Sequence, residues 1–221
     1  MIKAVIFDMD GLMFDTEALA KKGWLIAGRE CGLPITDEIV YKVIGMNAAS
    51  VQKTCEDYFG PGFDYDSFRQ KVSDYMQKTL EEDGIPVKRG LPELLAFLKE
   101  NGYRTAVASS SSRSTVKDYL RRAQMENSFS ALICGDMIQR GKPEPDIFLK
   151  AAEELSVPPD ECLILEDSSN GIRAAHAAGI RVVMVPDLIA PTPELRALAF
   201  RICESLLDVI PLLEKERGRL V

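Results

Sequence analysis

The chain has 221 residues, 46% hydrophobic and 28% charged, with 27 basic against 34 acidic residues and a net charge of −7. That length suits one large domain, or one domain carrying a smaller insert, and the apolar share argues against disorder. The acidic balance argues against a basic nucleic-acid surface, and a single histidine, His176, excludes every multi-histidine metal site.

Residues 2–7 form a short apolar, β-rich run that ends in Asp8 and reads as a buried strand. The run meets acidic residues at once, so it is no signal peptide, and no apolar stretch is long enough to span a bilayer. Residues 16–82 then contain no convincing strand. Helices are predicted over 17–31, 37–43, 49–58 and 67–81, with Thr36 capping the second and Ser67 with Gln70 forming a capping box for the last. Gly84, Pro86 and Gly90 mark a return hinge. Beyond it, strands predicted at 105–108, 131–134, 162–165 and 182–185 alternate with helices at 91–100, 115–123, 146–155 and 172–178. Alternation with continuous apolar strands predicts an α/β fold: a Rossmann-like parallel sheet with helices on both faces, joined by right-handed crossovers. The expected division is a core of residues 1–15 and 83–221 with an inserted helical unit, residues 16–82.

Cys31, Cys55, Cys134, Cys162 and Cys203 are scattered and odd in number, which predicts reduced, mostly buried thiols in a cytoplasmic protein.

Four short segments carry chemistry. In Asp8-Met9-Asp10-Gly11 the two acids, two apart in extended chain, either close a turn or face one pocket at the carboxyl end of a strand. Two carboxylates there repel, so a cation is their natural partner. Glu166-Asp167 ends another apolar strand; Asp167 caps the following helix or joins the same pocket. Oxygen donors without His or Cys suit Mg²⁺. Lys142, in Gly141-Lys142-Pro143, is a solvated loop lysine or a site residue. Residues 135–142 imitate a phosphate-binding P-loop, but five residues separate the glycines instead of four, and Pro143 replaces Ser or Thr. Ser109 and Ser110 follow a strand and precede a helix, where hydroxyl and backbone N–H groups either hold a phosphate or form an ordinary capped turn. No GxSxG turn accompanies His176 to make a serine-hydrolase triad.

Taken in order, Asp8-x-Asp10-Gly11, Ser109, Lys142-Pro143 and Glu166-Asp167 resemble the four motifs of haloacid dehalogenase (HAD) superfamily phosphatases. More narrowly, the chain is similar to the β-phosphoglucomutase-like subfamily, with a HAD-like core and a helical cap inserted after the first strand. The resemblance implies Asp8 as nucleophile forming an aspartyl-phosphate, and Asp10 as general acid, then base, offering its backbone carbonyl to the metal. It implies Ser109, with Ser110, on the transferring phosphoryl group, and Lys142 pairing with Asp8 and the phosphoryl oxygens. Asp167 would ligate Mg²⁺, and Glu166 would ligate it or order metal-bound water. The chemistry is coherent: a cation and Lys142 offset the repulsion between a carboxylate and a dianionic phosphate, and a covalent intermediate splits the displacement in two.

The segment Ile44-Gly45-Met46-Asn47 resembles the family's substrate-specificity loop, which makes Gly45 and Asn47 candidate substrate contacts. Trp24, Lys53 and Arg69 are weaker candidates, a core residue and two solvated charges in their plainer reading. Where a mutase resemblance expects a cap histidine and an arginine, the sequence has Ala20 and Ala48. The expectation is therefore a Mg²⁺-dependent phosphatase of small phosphorylated metabolites such as sugar phosphates, with a phosphosugar mutase as runner-up and a non-catalytic binding protein behind it. A dehalogenase would not need Asp10, Glu166 and Asp167. No nucleic acid or membrane partner is expected, and the chain should be a monomer or weak dimer.

Overall fold

The computed structural model describes residues 1–46, 48–60 and 62–218. Its centre is one six-stranded sheet: β1 (Ala4–Phe7), β2 (Arg104–Ser109), β3 (Ala131–Cys134), β4 (Cys162–Glu166), β5 (Arg181–Met184) and β6 (Arg201–Ile202). The strand order is β3-β2-β1-β4-β5-β6, and every neighbouring pair is parallel. The chain leaves β1 toward β2 and β3, then crosses to the other side for β4, β5 and β6. β1 therefore sits at the point where strand order reverses, the place where open α/β sheets bind ligands.

Strand parity makes the two faces. Val5, Phe7, Val107, Leu163, Leu165 and Val183 share one apolar cluster with α5 (Leu91–Glu100), α6 (Arg113–Arg122) and α10 (Val209–Gly218). Ala4, Ile6, Ala106, Ala108, Ile164, Val182 and Met184 share the other with α7 (Asp146–Glu154), α8 (Ser169–Ala177) and α9 (Pro193–Leu198). Successive residues of a strand point to opposite faces, so near-continuous apolar runs are what a sheet covered on both sides requires.

Between β1 and α5 lie α1 (Thr16–Cys31), α2 (Asp37–Val43), α3 (Ala48–Phe59) and α4 (Tyr65–Glu82). They pack on a separate cluster that includes Trp24, Ile39, Cys55 and Phe68, with the Trp24 and Phe68 rings edge to face at 5.1 Å. Two connections join this unit to the sheet, and they pair with each other. Phe14 bridges Val87, Asp15 N–H donates to Pro86 O at 2.9 Å, and Lys88 N–H donates to Met13 O at 2.9 Å.

The elements follow the predicted pattern with local corrections. Thr36 stands at the start of α2 without a side-chain capping bond; its hydroxyl faces the Tyr58 hydroxyl at 3.4 Å. α4 begins at Tyr65 rather than at a box built on Ser67 and Gln70: Asp64 is its cap, accepting from Ser67 N–H at 3.0 Å, while Gln70 bonds Asp74. Burial of Tyr65 and Phe68 draws the chain into the helix a turn early. β6, α9 and α10 have no counterpart in the sequence reading. β6 is two residues long and shows no period. The five cysteines are free, four of them buried, and no helix among the described residues is long and apolar enough to cross a membrane.

Candidate active site

β1, β2 and β4 run in register, so their carboxyl ends come out level: Phe7 lies beside Val107 and Leu165, and Asp8 N–H donates to Leu165 O at 3.0 Å. That alignment puts Asp8, Ser109 and Glu166 at one edge. One carboxylate oxygen from each of Asp8, Glu166 and Asp167 falls within 4.8 Å of the others, and all three residues are buried.

Lys142 enters this group from the loop before α7. Its Nζ donates to Asp8 Oδ1 and, at 2.5 Å, to Glu166 Oε1, and its side chain is 1% exposed. The Phe148 ring lies 4.9 Å beneath the ammonium. Burial alone would lower the lysine's pKa; Asp8 and Glu166 on either side reverse that and hold it raised. Glu166 spends its other oxygen on the backbone: Oε2 accepts from Asp167 N–H at 2.8 Å and Ser168 N–H at 2.7 Å. It orients Lys142 and the start of α8. Ser168, not Asp167, caps that helix, accepting from Gly171 N–H at 3.0 Å.

Asp10 stands above Asp8 and accepts from three hydroxyls. Thr16 donates to Oδ1 at 2.7 Å; Ser111 donates to Oδ2 at 2.8 Å and Ser109 at 3.4 Å. Met9 between the two acids is fully buried in the core, as alternation requires. Ser110 lies at the seam with the helical unit, its hydroxyl donating to Gly45 O at 3.2 Å.

The donor set fits a hard divalent cation. Three carboxylates face one ammonium, leaving two negative charges uncompensated, and burial pushes both Asp8, to about 8, and Asp167 up against the pull of Lys142. Asp167 Oδ1 is buried with no hydrogen-bond partner. Oxygen-only donors, excess negative charge and an orphaned acceptor at Asp8, Glu166 and Asp167 together suit a hard cation such as Mg²⁺.

A cavity of about 790 Å³ opens over these residues, between the sheet edge and the helical unit. Asp8, Asp10, Ser109 and Ser110 line its floor, and Gly45, Trp24 and Arg69 line its far side. Trp24 is chiefly a core residue that also borders the cavity, and Arg69 is exposed. Lys53 is exposed on α3 and is not among the lining residues. Asn47 lies outside the described residues. Ala20 lines the cavity and Ala48, exposed at the start of α3, does not. His176 is exposed on α8, while Ala174 and Ala175 face the sheet.

Three participants escaped the sequence reading. Glu17, in the first turn of α1, lines the cavity; burial, then Asp10 and Asp8, push its carboxyl up to about 8. In sequence it reads as an ordinary acid at a helix N-terminus. Ser111, which directly follows Ser109 and Ser110 in the sequence, donates to Asp10 and has no local signal of its own. Asp187 follows the fifth strand, β5, and carries the same apolar-run-then-acid signature as Asp8 and Glu166-Asp167, so that signal was available.

The chain is similar to known proteins over most of its length. A family model described as haloacid dehalogenase-like hydrolase matches residues 5–185. The chain is 30% identical over 179 residues to a phosphorylated carbohydrates phosphatase from Thermotoga maritima, spanning 81% of this chain and 82% of that protein. It is 32% identical over 193 residues to a beta-phosphoglucomutase from Bacillus subtilis, spanning 83% of each. Among solved structures, CbbY from Rhodobacter sphaeroides in complex with phosphate matches with a TM-score of 0.79 at 27% identity, over 95% of this chain and 96% of that one. With an acid-tipped β1 at the reversal of a parallel sheet, a buried lysine on the Asp8 carboxylate and a match over most of its length, the chain belongs to the haloacid dehalogenase-like hydrolase family.

Proposed function

We propose that the chain is a Mg²⁺-dependent phosphatase that hydrolyses small phosphate monoesters, phosphorylated sugars among them, through an aspartyl-phosphate on Asp8. The observation that carries this reading is the pairing of a buried Asp8–Lys142 contact with Asp10, two residues on, held by hydroxyls at the floor of an open cavity. Bound beside Asp8 and Asp167, Mg²⁺ supplies charge neutralisation for the transferring phosphoryl group.

The chain's own residues do the rest. An Asp8 carboxylate oxygen attacks phosphorus as the bond to the leaving oxygen breaks, and Asp10 gives that oxygen its proton, a contribution of roughly 10²–10⁴ in rate. Water then attacks the acyl phosphate, Asp10 takes the water's proton, and the bond to Asp8 breaks to release inorganic phosphate. Ser109 and Lys142 hold the phosphoryl oxygens throughout. Residues 16–82 act as the cap, which closes the cavity against bulk water, with Gly45 facing substrate. Ala20 on the cavity wall has no group to carry a proton, which favours hydrolysis over mutase chemistry.

A phosphate-release screen over phosphorylated metabolites, with Mg²⁺ and then with chelator, tests the reading. Release that persists in chelator overturns the metal requirement. An isomerised product from β-glucose 1-phosphate, instead of free phosphate, moves the assignment to the mutase. Asp8→Asn is expected to abolish turnover with an unchanged circular dichroism spectrum, and residual release in that variant rules out the covalent step.

A further inference from the structure

Two buried side-chain atoms among the described residues have no hydrogen-bond partner: Asp167 Oδ1 and Asp187 Oδ2. Their residues follow neighbouring strands, β4 and β5, and both carboxylates converge on Gly11. A Cβ built on Gly11 would collide with Asp167 Oδ2 and stand 3.2 Å from Asp187 Oδ2. Gly11, at φ +85°, thus leaves open the space that the two acids share. The Asp187 side chain is only 9% exposed, and its charge reaches Glu17 across the site.

The other oxygen of Asp187 is fixed. Lys88 Nζ, from the return connection of the helical unit, donates to Oδ1 at 2.6 Å, with Asp15 a further 3.8 Å neighbour. One oxygen is anchored, and the other is aimed, unpaired, at the space beside Asp167. A buried acceptor without a donor is costly, the more so when charged, so such an atom implies a donor. Mg²⁺ keeps several waters when bound, and those waters need acceptors.

We propose that Asp187 is an outer carboxylate of the cation site. Its Oδ2 accepts a hydrogen bond from water carried by Mg²⁺, and Lys88 holds its other oxygen so that the acceptor stays aimed. Asp187 is a positioning residue here, and Lys88 ties the connection of the helical unit to the metal's surroundings. The inference rests on the cation site proposed above.

Calorimetric titration of Mg²⁺ into the intact, metal-stripped protein tests it. Asp187→Asn, which keeps an acceptor for Lys88, is expected to weaken Mg²⁺ binding about 10–100-fold. The rise in urea midpoint on adding Mg²⁺ should shrink, while the midpoint in chelator stays close to wild type. Asp187→Ser, which also gives up the Lys88 contact, is expected to weaken Mg²⁺ binding as much and to lower the chelator midpoint as well. Mg²⁺ affinity within twofold of wild type, with only the chelator midpoint lowered, makes Asp187 a mere anchor for Lys88 and overturns the inference while leaving the cation site standing. A wild-type protein that takes up no Mg²⁺ overturns the cation site and this inference together.

Discussion

Lys142 shows how little room the site leaves. Its ammonium sits between Asp8 and Glu166 with the Phe148 ring below, and its side chain is 1% exposed. Lys142→Met removes the only ammonium in contact with these two buried carboxylates among the described residues. Breaking a buried ion pair from one side costs about 3–5 kcal/mol. The variant is therefore expected to lose phosphate release and to unfold at markedly lower urea. Lys142→Arg should also be inactive, since a planar fork cannot replace a point charge in this enclosure. The local sequence left Lys142 divided between a solvated loop and the site, and only the resemblance implied a place beside Asp8. The choice belongs to burial, which a loop residue acquires only from elements distant in the chain.

At the scale of elements, α8 shows why a glycine can be a site residue. Gly171 lies in its first turn, and a Cβ there would run into the Glu166 carboxylate. Gly171→Ala must displace Glu166, which holds Lys142 and two backbone N–H groups. Overpacking of this kind costs about 1–3 kcal/mol, and the expected result is lower thermal stability together with reduced phosphate release. Strand ends were legible because a run of apolar residues stopped by acid is local physics: burial up to one residue, a site at the next. Helix starts were less so. Ser67 and Gln70 have the right letters for a capping box, yet Asp64 caps α4 because Tyr65 and Phe68 must reach the apolar cluster of the helical unit.

Across the whole molecule, three apolar clusters divide the work: two on the faces of the sheet and one among α1–α4. Phe68 is fully packed in the third, edge to face with Trp24, and Phe68→Ala should cost about 3–5 kcal/mol. The buried members of that cluster all lie in α1–α4, and of these helices Leu19, Tyr75, Met76 and Leu80 also pack with a sheet-face cluster, so the loss should be greatest within α1–α4. Hydrogen exchange is expected to rise in α1–α4 while β1, β2 and β4 keep their protection; a uniform loss would show that the clusters unfold as one. The paired connections through Phe14 and Val87 are the link between the parts, and Lys88 carries that link to Asp187.

The alternation of strands and helices, the helical insert and the motif carboxylates were readable in the sequence, because strand parity, apolar runs and motif spacing act over a few residues. Tertiary structure alone decided which groups meet. Strand order and register brought Asp8 level with Glu166, the packing of the helical unit over the sheet edge put Glu17 of α1 on the cavity wall, and the neighbouring ends of β4 and β5 aimed Asp167 and Asp187 at one glycine. Those contacts join residues up to 176 positions apart, from Gly11 to Asp187, and no local pattern carries information over that distance.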